Sequence, residues 1–309
     1  MKNEFDDSIS LLNKKTILLT GSNGMLGTSF EQIIKEKSPD TNLISPSKER
    51  MDIINKEQVL SYADEQIDII IHCAAKVDAE FCEKNSKKSS EIIVEGTNNI
   101  IDLASITNAK IFYPQSFLIF DGKSQPIIEN TKPVPLCRYG QDKFLAEKNI
   151  LKNHSNSLIV RMGGFFGGYE KDKNFVGKII PHLSKLIETG EKQIDVGDRI
   201  WQPTYTNDIA YNSLVLLSKN KNGVYNMASH EQVSFYDLTL KIASLLEIND
   251  KIKIQKVKSS YFSKNEAAMR PEIAIMINNR LKEESLDLQR KWDESLKEYL
   301  CHNYFVDLF

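Results

Sequence analysis

Residues 20–27 read TGSNGMLG and join a short apolar run to the start of a helical pattern. Gly21, Gly24 and Gly27 recur at every third position, a spacing that differs from the commoner G-x-G-x-x-G fingerprint. Glycines allow a tight turn and a close approach of backbone to a pyrophosphate, and the amides that open the helix bind phosphate oxygens. The stretch predicts either a dinucleotide-binding turn or a plain strand-to-helix turn, and the spacing favours the first.

Short β-branched runs alternate with helical patterns through the first half of the chain. The predicted strands are TILLT (16–20), NLIS (42–45), IDIIIH (67–72), KIFYP (110–114) and SLIVR (157–161), and the predicted helices span 25–37, 56–65, 89–108 and 139–153. Apolar strands that alternate with helices are typical of a parallel sheet covered on both faces. We therefore predict an α/β fold, a Rossmann-like doubly wound parallel sheet with a smaller C-terminal substrate-binding lobe.

The pattern changes after about residue 162, where the glycine-rich turn GGFFGG begins. Three helical patterns follow, at 174–188, 203–217 and 234–248. One strand, GVYNMA, is predicted at 223–228. Ser234 opens the last helix, and Asn207 or Asp208 caps the second. We predict two domains. The dinucleotide-binding domain comprises residues 1–162 and a return segment at about 203–227. The smaller substrate-binding lobe comprises residues 163–202 and 228–309.

The composition excludes several classes of protein. The 309 residues carry 40 Lys and Arg against 42 Asp and Glu, so no overall basic field argues for nucleic acid or membrane as a partner. No apolar run reaches 18 residues, and the polar, acidic N-terminus lacks the features of a secretory signal. The four cysteines and five histidines show no spacing typical of metal ligands, so we expect no metal and a reducing, cytoplasmic setting.

Ser47 and Lys48 stand at the end of the second predicted strand, where a dinucleotide site contacts the adenosine ribose. A site that prefers NAD usually places a carboxylate there, whereas a hydroxyl and an ammonium suit a 2′-phosphate better. Glu49 lies next to them and weakens this preference. The alternative is a polar loop without a ligand. The pattern favours NADPH as the cofactor, with NADH as the second candidate.

Tyr139 and Lys143 lie four positions apart in RYGQDK (138–143), so both side chains share one face of a helix. Such a pair occurs by chance in many helices, and an ordinary surface turn is one interpretation. The other is a proton donor and the cation that tunes it. A nearby ammonium favours the phenolate, and it would lower the pKa of the tyrosine from its ordinary value of about 10.

Several stretches, in one order along the chain, resemble a known family. They are TGSNGMLG, HCAAKVDAEFCE, QSFLIFDG, YGQDK, PTYTNDIA, GVYNMASHEQVSFYDLT, and RP at Arg270 and Pro271. From about residue 15 to residue 281 the chain resembles the extended short-chain dehydrogenase/reductase superfamily and, within it, the dTDP-4-dehydrorhamnose reductase family. The resemblance implies that Ser116, Tyr139 and Lys143 are catalytic, which makes the active-site interpretation of the tyrosine–lysine pair the stronger one.

The resemblance also implies which residues face the cofactor. Gly24, Met25 and Leu26 would lie against the diphosphate, and Asp52 and Ile53 near the adenine. The full predicted cofactor-binding set is Gly21, Asn23, Gly24, Met25, Leu26, Gly27, Ser47, Lys48, Asp52, Ile53, Ala74, Ala75, Lys76, Tyr139 and Lys143.

The predicted substrate-binding residues are Ser116, Phe117, Gly164 and Arg270. Phe117 replaces the aspartate that usually follows the catalytic hydroxyl in the family, and Leu118 replaces the tyrosine after it. Gly164 stands where the family often carries a tryptophan. These positions have become apolar or empty while the proton-transfer residues remain. We therefore expect reductase chemistry to be retained, and dTDP-4-dehydrorhamnose itself to be disfavoured as the substrate.

Together these inferences predict an NADPH-dependent reductase of the keto group of a nucleotide-activated 4-keto-6-deoxysugar, in cell-surface polysaccharide sugar biosynthesis. One alternative is an epimerase or dehydratase of the same fold, although Phe117 and Leu118 occupy the acidic positions that dehydratases use. The other is a non-catalytic NADP-binding regulatory subunit, such as the one that partners methionine adenosyltransferase, and the complete catalytic set argues against it. Relatives commonly form dimers, so a homodimer is a further expectation.

Overall fold

A six-stranded parallel sheet forms the centre of the computed structural model, which describes residues 2–263 and 266–309. In chain order the strands are β1 (Thr16–Thr20), β2 (Asn42–Ile44), β3 (Ile69–His72), β4 (Lys110–Ser116), β5 (Ser157–Met162), β6 (Phe165–Phe166), β7 (Gln193–Gly197), β8 (Ile200–Trp201), β9 (Thr204–Tyr205), β10 (Gly223–Met227), β11 (Val233–Ser234) and β12 (Lys253–Val257). The central sheet has the order β10-β5-β4-β3-β1-β2, with parallel neighbours throughout. The predicted strands are observed with ends shifted by at most two residues.

Successive side chains of the sheet enter two different helical layers. Ile17 and Leu19 of β1 pack into the core cluster on one face, and Leu18 packs into the cluster on the other. A strand that is buried on both faces must be apolar at consecutive positions, which explains the unbroken run TILLT. The structure confirms the predicted doubly wound parallel sheet.

Helices cover both faces of this sheet and build the remainder of the fold. In chain order they are α1 (Lys2–Ile9), α2 (Met25–Lys37), α3 (Lys56–Leu60), α4 (Ala79–Lys84), α5 (Ser86–Ser90), α6 (Gly96–Thr107), α7 (Arg138–Asn153), α8 (Phe175–Glu188), α9 (Thr206–Ser218), α10 (Phe235–Leu245), α11 (Ser260–Ser263), α12 (Asn279–Glu283), α13 (Trp292–Leu300) and α14 (Asn303–Val306). The bounds of α2 are as predicted, and Ser234 caps α10 by accepting a hydrogen bond from the amide of Asp237.

Several helix predictions were wrong in detail. The pattern at 89–108 contains a π-helical stretch, Glu91–Glu95, between α5 and α6, and the pattern at 56–65 ends in a 3₁₀ turn. Neither Asn207 nor Asp208 caps α9, because the helix already begins at Thr206. The Asp208 carboxylate instead accepts hydrogen bonds from Arg290 and Ser295, partners that lie far along the chain. The helix α1 was not predicted.

The C-terminal part of the chain has a core of its own. A buried cluster of residues from 166 to 305 includes Phe166, Trp201, Leu238 and Leu296, and it is distinct from the two clusters that flank the central sheet. Three short strand pairs accompany it, β8 with β11, β7 with β12 and β6 with β9. The residue bounds of the two predicted domains stay a prediction.

Candidate active site

The end of β4 and the first turns of α7 bring the three predicted catalytic residues together. Nζ of Lys143 donates to the carbonyl oxygen of Pro114 at 2.7 Å, and the carbonyl of Lys143 accepts from Nε2 of Gln115 at 2.9 Å. Ser116, the last residue of β4, lies near enough to Tyr139 for its side chain to lower the pKa of the phenol. The group therefore lies at the carboxyl edge of the sheet, where open α/β sheets bind their ligands.

Tyr139 is only 7% exposed, and burial raises its pKa above the ordinary value of about 10. We expected Lys143 to lower this pKa, and that expectation is wrong for this structure. The ammonium contacts the Pro114 carbonyl and lies 3.7 Å from the centre of the Tyr113 ring, while the side chain of Ser116 only partly offsets the effect of burial. A phenol with a raised pKa stays protonated at neutral pH, which is the form that a proton donor needs.

Lys143 lies between the ends of β3 and β4. The side chain is 3% exposed, and burial lowers its pKa to about 7, against an opposing effect of Cys73 and Glu147. Burial also raises the pKa of Cys73 to about 12, so this thiol is neutral. Near neutral pH the ammonium therefore carries its charge only part of the time.

The glycine turn fits the diphosphate of a dinucleotide. A Cβ on Gly27 would overlap the carbonyl oxygen of Gly21, and a Cβ on Gly21 would lie 2.6 Å from the amide nitrogen of Ala74. Within the described ranges no side chain caps α2, whose N-terminal residue is preceded by Gly24, so its first amides are available to phosphate oxygens. Leu26 buries its side chain in the core, and only its backbone can face a ligand.

A buried relay of hydroxyl and imidazole groups, which the sequence analysis missed, supports the loop after β3. Thr20 and His72 pair across β1 and β3, with Oγ1 and Nδ1 2.9 Å apart. Nε2 of His72 lies 3.2 Å from Oγ1 of Thr97, which donates to Ile93, so Nε2 carries the proton and Nδ1 accepts. Oγ1 of Thr20 also accepts from the amide of Ala74 at 3.2 Å.

Burial lowers the pKa of His72 to about 3, with a smaller contribution from Lys143, so the imidazole stays neutral. Each hydrogen bond of the relay therefore keeps the same donor and the same acceptor. The relay holds Ala74 against the glycine turn. A signal was present in the sequence, because two neighbouring predicted strands both end in a polar residue, Thr20 and His72. Farther along the same loop, Lys76 places Nζ 4.4 Å from the centre of the Phe81 ring.

The residues predicted to surround the adenosine lie after β2. Lys48 is 78% exposed in its side chain and approaches the Asp52 carboxylate at 3.8 Å, while Ser47 hydrogen-bonds the Glu49 carboxylate and lowers its pKa. Ile53 is buried and faces Gly96, whose missing side chain leaves room for it. The loop therefore offers an ammonium and a hydroxyl at its surface, together with two carboxylates that oppose an anionic ligand.

The substrate side of the site differs from the prediction at Gly164. We expected this position to leave an empty space, but the indole of Trp201 fills it. A Cβ on Gly164 would overlap Cε3 and Cζ3 of Trp201 and would lie 3.4 Å from Cε1 of Phe117. The apolar surface beside Ser116 is therefore built jointly by Phe117 and by a tryptophan from β8. Sequence reasoning missed Trp201 because its contact with Gly164 joins β8 to the turn between β5 and β6, which lies far away in the sequence.

Arg270 is held by carboxylates in this structure. Its Nη1 donates to Glu80 at 2.8 Å and lies 3.4 Å from Glu266. Glu80 also accepts from the amides of Ala267 and Ala268, and Ala268 is fully buried in the cluster that contains Tyr139. The segment around Arg270 is thereby tied to α4 and packs into the cluster that contains Tyr139. Its role as a substrate ligand stays a prediction.

A buried ion pair lies close to the predicted catalytic residues. Nη2 of Arg161 donates to Oε1 of Glu147 at 2.5 Å, and Nε2 of Gln115 donates to Oε2 of the same carboxylate at 2.8 Å. Within residues 2–263 and 266–309, no group of three or more His, Cys, Asp or Glu side chains is placed to hold a metal ion. The same ranges contain no helix that is both long and apolar enough to cross a membrane.

Comparisons with known proteins identify the family of the chain. Residues 15–305 match the RmlD substrate binding domain family. The chain belongs to this family. It is 27% identical over 286 residues to the spore coat polysaccharide biosynthesis protein SpsK of Bacillus subtilis (strain 168), with 92% of this chain and 96% of that protein covered.

Two other known proteins are similar to this chain over most of their length. Methionine adenosyltransferase 2 subunit beta of Xenopus tropicalis is 26% identical over 256 residues, which cover 78% of this chain and 75% of that protein. The crystal structure of dTDP-4-dehydrorhamnose reductase from Bacillus anthracis str. Ames in complex with NADP superposes with a TM-score of 0.85 at 26% identity, with 93% and 99% of the two chains covered. The RmlD family match confirms the predicted family and fold.

Proposed function

We propose that this RmlD family protein is an NADPH-dependent reductase of the keto group of a nucleotide-activated 4-keto-6-deoxysugar. The observation that carries the proposal is the meeting of Ser116, Tyr139 and Lys143 at the carboxyl edge of the sheet, next to a glycine turn whose helix has free amides. In this proposal the cofactor domain comprises residues 1–162 with 203–227, and the substrate lobe comprises 163–202 and 228–309.

The cofactor assignment is supported by the fit of the glycine turn and by the NADP bound to the Bacillus anthracis reductase. The backbone of residues 21–27 would hold the diphosphate, and Ala74 to Lys76 would face the cofactor from the loop after β3. Ser47 and Lys48 would contact the 2′-phosphate, with Asp52 and Ile53 near the adenine. The two carboxylates beside Lys48 keep NADH as a second cofactor candidate.

Bound NADPH would supply the hydride for ketone reduction. When a hydride adds to the carbonyl carbon, negative charge develops on the ketone oxygen, and that oxygen takes up a proton. Tyr139 is the donor in this proposal, because its phenol is protonated at neutral pH and lies on the same helical face as Lys143. Ser116 would hydrogen-bond the same oxygen and orient it, as a fixed donor at a developing oxyanion does. Lys143, when charged, would stabilise the phenolate that remains and hold the nicotinamide ribose.

The biological context is proposed from similarity. SpsK takes part in spore coat polysaccharide biosynthesis, and it covers nearly the full length of this chain. A nucleotide-sugar reductase here would supply an activated deoxysugar for a cell-surface polysaccharide, in the cytoplasm and without a nucleic acid or membrane partner. A second candidate is a regulatory subunit, which the similarity to methionine adenosyltransferase 2 subunit beta favours.

A panel of keto-deoxysugar nucleotides generated in situ, with NADPH consumption followed by absorbance, tests the proposal. We expect one or more members to be reduced, with dTDP-4-dehydrorhamnose disfavoured because the apolar Phe117 and Leu118 stand where the family usually has polar side chains that could bond substrate hydroxyls. A clear optimum for dTDP-4-dehydrorhamnose would contradict the specificity part. Tight NADPH binding without turnover of any member would contradict the reductase and favour the regulatory subunit.

A further inference from the structure

Gln115 precedes Ser116 on β4, and its side chain is fully buried. Nε2 donates to the carbonyl oxygen of Lys143 at 2.9 Å and to Oε2 of Glu147 at 2.8 Å. Oε1 accepts from the backbone amide of Ser116 at 2.8 Å. One buried amide group therefore joins the backbones of two predicted catalytic residues, and the sequence analysis gave it no role.

The amide of Gln115 satisfies these three partners in one orientation only. The Lys143 carbonyl and the Glu147 carboxylate accept and so use both hydrogens of Nε2, whereas the Ser116 amide donates and must face Oε1. Glu147 is held in turn by the buried Arg161, the register partner of Gln115 on β5. A flipped amide would set donor against donor and acceptor against acceptor, which is costly because burial removes water as an alternative partner.

Ser116 is held against α7 on both sides. Before it, Gln115 accepts from its amide and bonds α7. After it, the amide of Leu118 donates to Oγ of Ser116 at 3.2 Å, and a Cβ on Gly140 would overlap the carbonyl oxygen of Leu118. The turn after Ser116 therefore packs directly on α7 beside Tyr139. An accepting Oγ still carries its own proton, which can be donated to a ketone oxygen.

We propose that Gln115 is a positioning residue, which fixes Ser116 relative to the face of α7 that carries Tyr139. Glu147 acts through Gln115, because its carboxylate selects the orientation of the amide. The inference rests on the proposed function, since ketone reduction needs the hydroxyl and the phenol at the same oxygen. A displacement of an orienting group by about 1 Å can lower a rate about 100-fold.

Gln115→Met tests the inference, because methionine has nearly the same length but makes none of the three hydrogen bonds. The matched control is Gln289→Met, since Gln289 is also buried and its Nε2 donates to the carbonyl of Asp208 and to Oδ1 of Asn212. Both variants should lose stability in urea unfolding. Only Gln115→Met should speed hydrogen exchange at the Ser116 amide, by about tenfold. Exchange at the wild-type rate would overturn the inference, whether or not the protein reduces a keto sugar.

Kinetics with NADPH give the second readout. We expect Gln115→Met to lower kcat about 10- to 100-fold and to leave the Kd of NADPH nearly unchanged, whereas Gln289→Met should alter neither. Gln115→Glu should also lower kcat, because it sets two carboxylates together. Adding Glu147→Gln should restore part of that loss, since the pair again contains one amide and one carboxylate.

Equal kcat in the two methionine variants would overturn the inference, because Gln115 would then support the fold alone. No recovery in the double variant would overturn the selection of the amide orientation by Glu147. A wild type that reduces no keto sugar would instead overturn the proposed reaction, and hydrogen exchange at Ser116 would still decide whether Gln115 positions it.

Discussion

The cofactor-facing edge and the substrate-facing side of this site are held by different kinds of contact. At the edge, backbone turns and neighbouring strands do most of the positioning, as in the Thr20–His72 pair across β1 and β3 and the bond from Lys143 to Pro114. On the substrate side, Trp201 of the C-terminal lobe fills the space at Gly164. Arg270 donates a hydrogen bond to Glu80, a residue 190 positions away in the sequence. The first kind of contact depends mainly on the backbone of adjacent strands, whereas the second kind depends on side chains that meet from distant segments of the chain.

Tyr139→Phe gives the largest effect expected at the cofactor-facing edge. The change removes the phenolic oxygen and keeps the ring in its buried position, so turnover should fall about 10²–10⁴-fold, or about 3–5 kcal/mol of barrier. NADPH affinity should change little, because the phenol is not expected to contact the phosphates. Steady-state kinetics with an NADPH titration separates the two quantities. The matched control is Tyr211→Phe on α9, whose hydroxyl bonds Asp6 instead. Near wild-type reduction by Tyr139→Phe would return the tyrosine–lysine pair to an ordinary helical turn.

Lys143→Met tests the charge at the same edge. Because the pKa of Lys143 falls from 10.5 to about 7 on burial, the unfolded chain binds more protons than the folded chain between these values. Lys143 therefore makes stability rise with pH in this window, by up to about 1.4 kcal/mol per pH unit. Urea unfolding from pH 7 to 10 should show a wild-type minus mutant difference that grows with pH. The neighbouring His72 and Cys73, with folded pKa values of about 3 and about 12, are present in both proteins, so the subtraction of the mutant removes their own contribution.

The same variant should slow turnover and weaken NADPH binding together, since the ammonium would serve both the phenol and the ribose. This joint loss distinguishes it from Tyr139→Phe, for which only turnover should fall. A difference in unfolding free energy that stays flat from pH 7 to 10 would show that Lys143 is fully charged in the folded protein. Burial would then not lower the pKa of Lys143 at this edge.

The part of the fold that follows from local periodicity was predictable from the sequence. Unbroken apolar runs such as TILLT identify strands that are buried on both faces, and the glycine spacing identifies the turn before α2. Tyr139 and Lys143 could be named as a candidate pair because they share one helical face, whereas Ser116, which lies beyond the predicted strand 110–114, was named only from the resemblance. Only the resemblance joined them into one site.

The remaining features depend on contacts between distant segments. Asp208 looked like a helix cap because its actual partner, Arg290, is 82 residues away. Gly164 looked like an empty position because nothing in its neighbourhood in sequence reveals the indole of Trp201. The pKa of Tyr139 was predicted with the wrong sign because a sequence shows that a lysine is close, but not that the phenol is buried.

Lys48→Glu sharpens the comparison at the outer rim of the cofactor site. If Lys48 contacts a 2′-phosphate, its loss should cost about 1.5–3 kcal/mol, or roughly ten- to hundredfold in NADPH affinity. NADH affinity should change much less, so the ratio of the two dissociation constants is the measurement. The side chain is 78% exposed and lies near Asp52, which places the expected effect towards the lower end. Equal affinities for both cofactors in wild type and mutant would refute the preference.

His72→Phe has the smallest expected effect at the cofactor-facing edge, and it tests the relay alone. The substitution keeps a buried ring but breaks the bonds to Thr20 and Thr97, at a cost of about 1 kcal/mol per hydrogen bond. His154→Phe is the matched control, since His154 is also buried and bonds the carbonyl of Ala109 through Nε2. Both variants should lose stability in urea unfolding.

Only the change at His72 should weaken cofactor binding, by a few-fold, because Thr20 holds the Ala74 amide against the glycine turn. The pH dependence of stability and of turnover shows whether His72 is a neutral member of the relay or carries protons. With its folded pKa lowered from 6.5 to about 3, His72 makes stability fall as pH drops from 6.5 towards 3, and the substitution by phenylalanine removes that contribution. Turnover of the wild type should show no inflection from His72 at higher pH. Equal losses of cofactor affinity in the two histidine variants would mean that the relay supports the fold and does not position the loop.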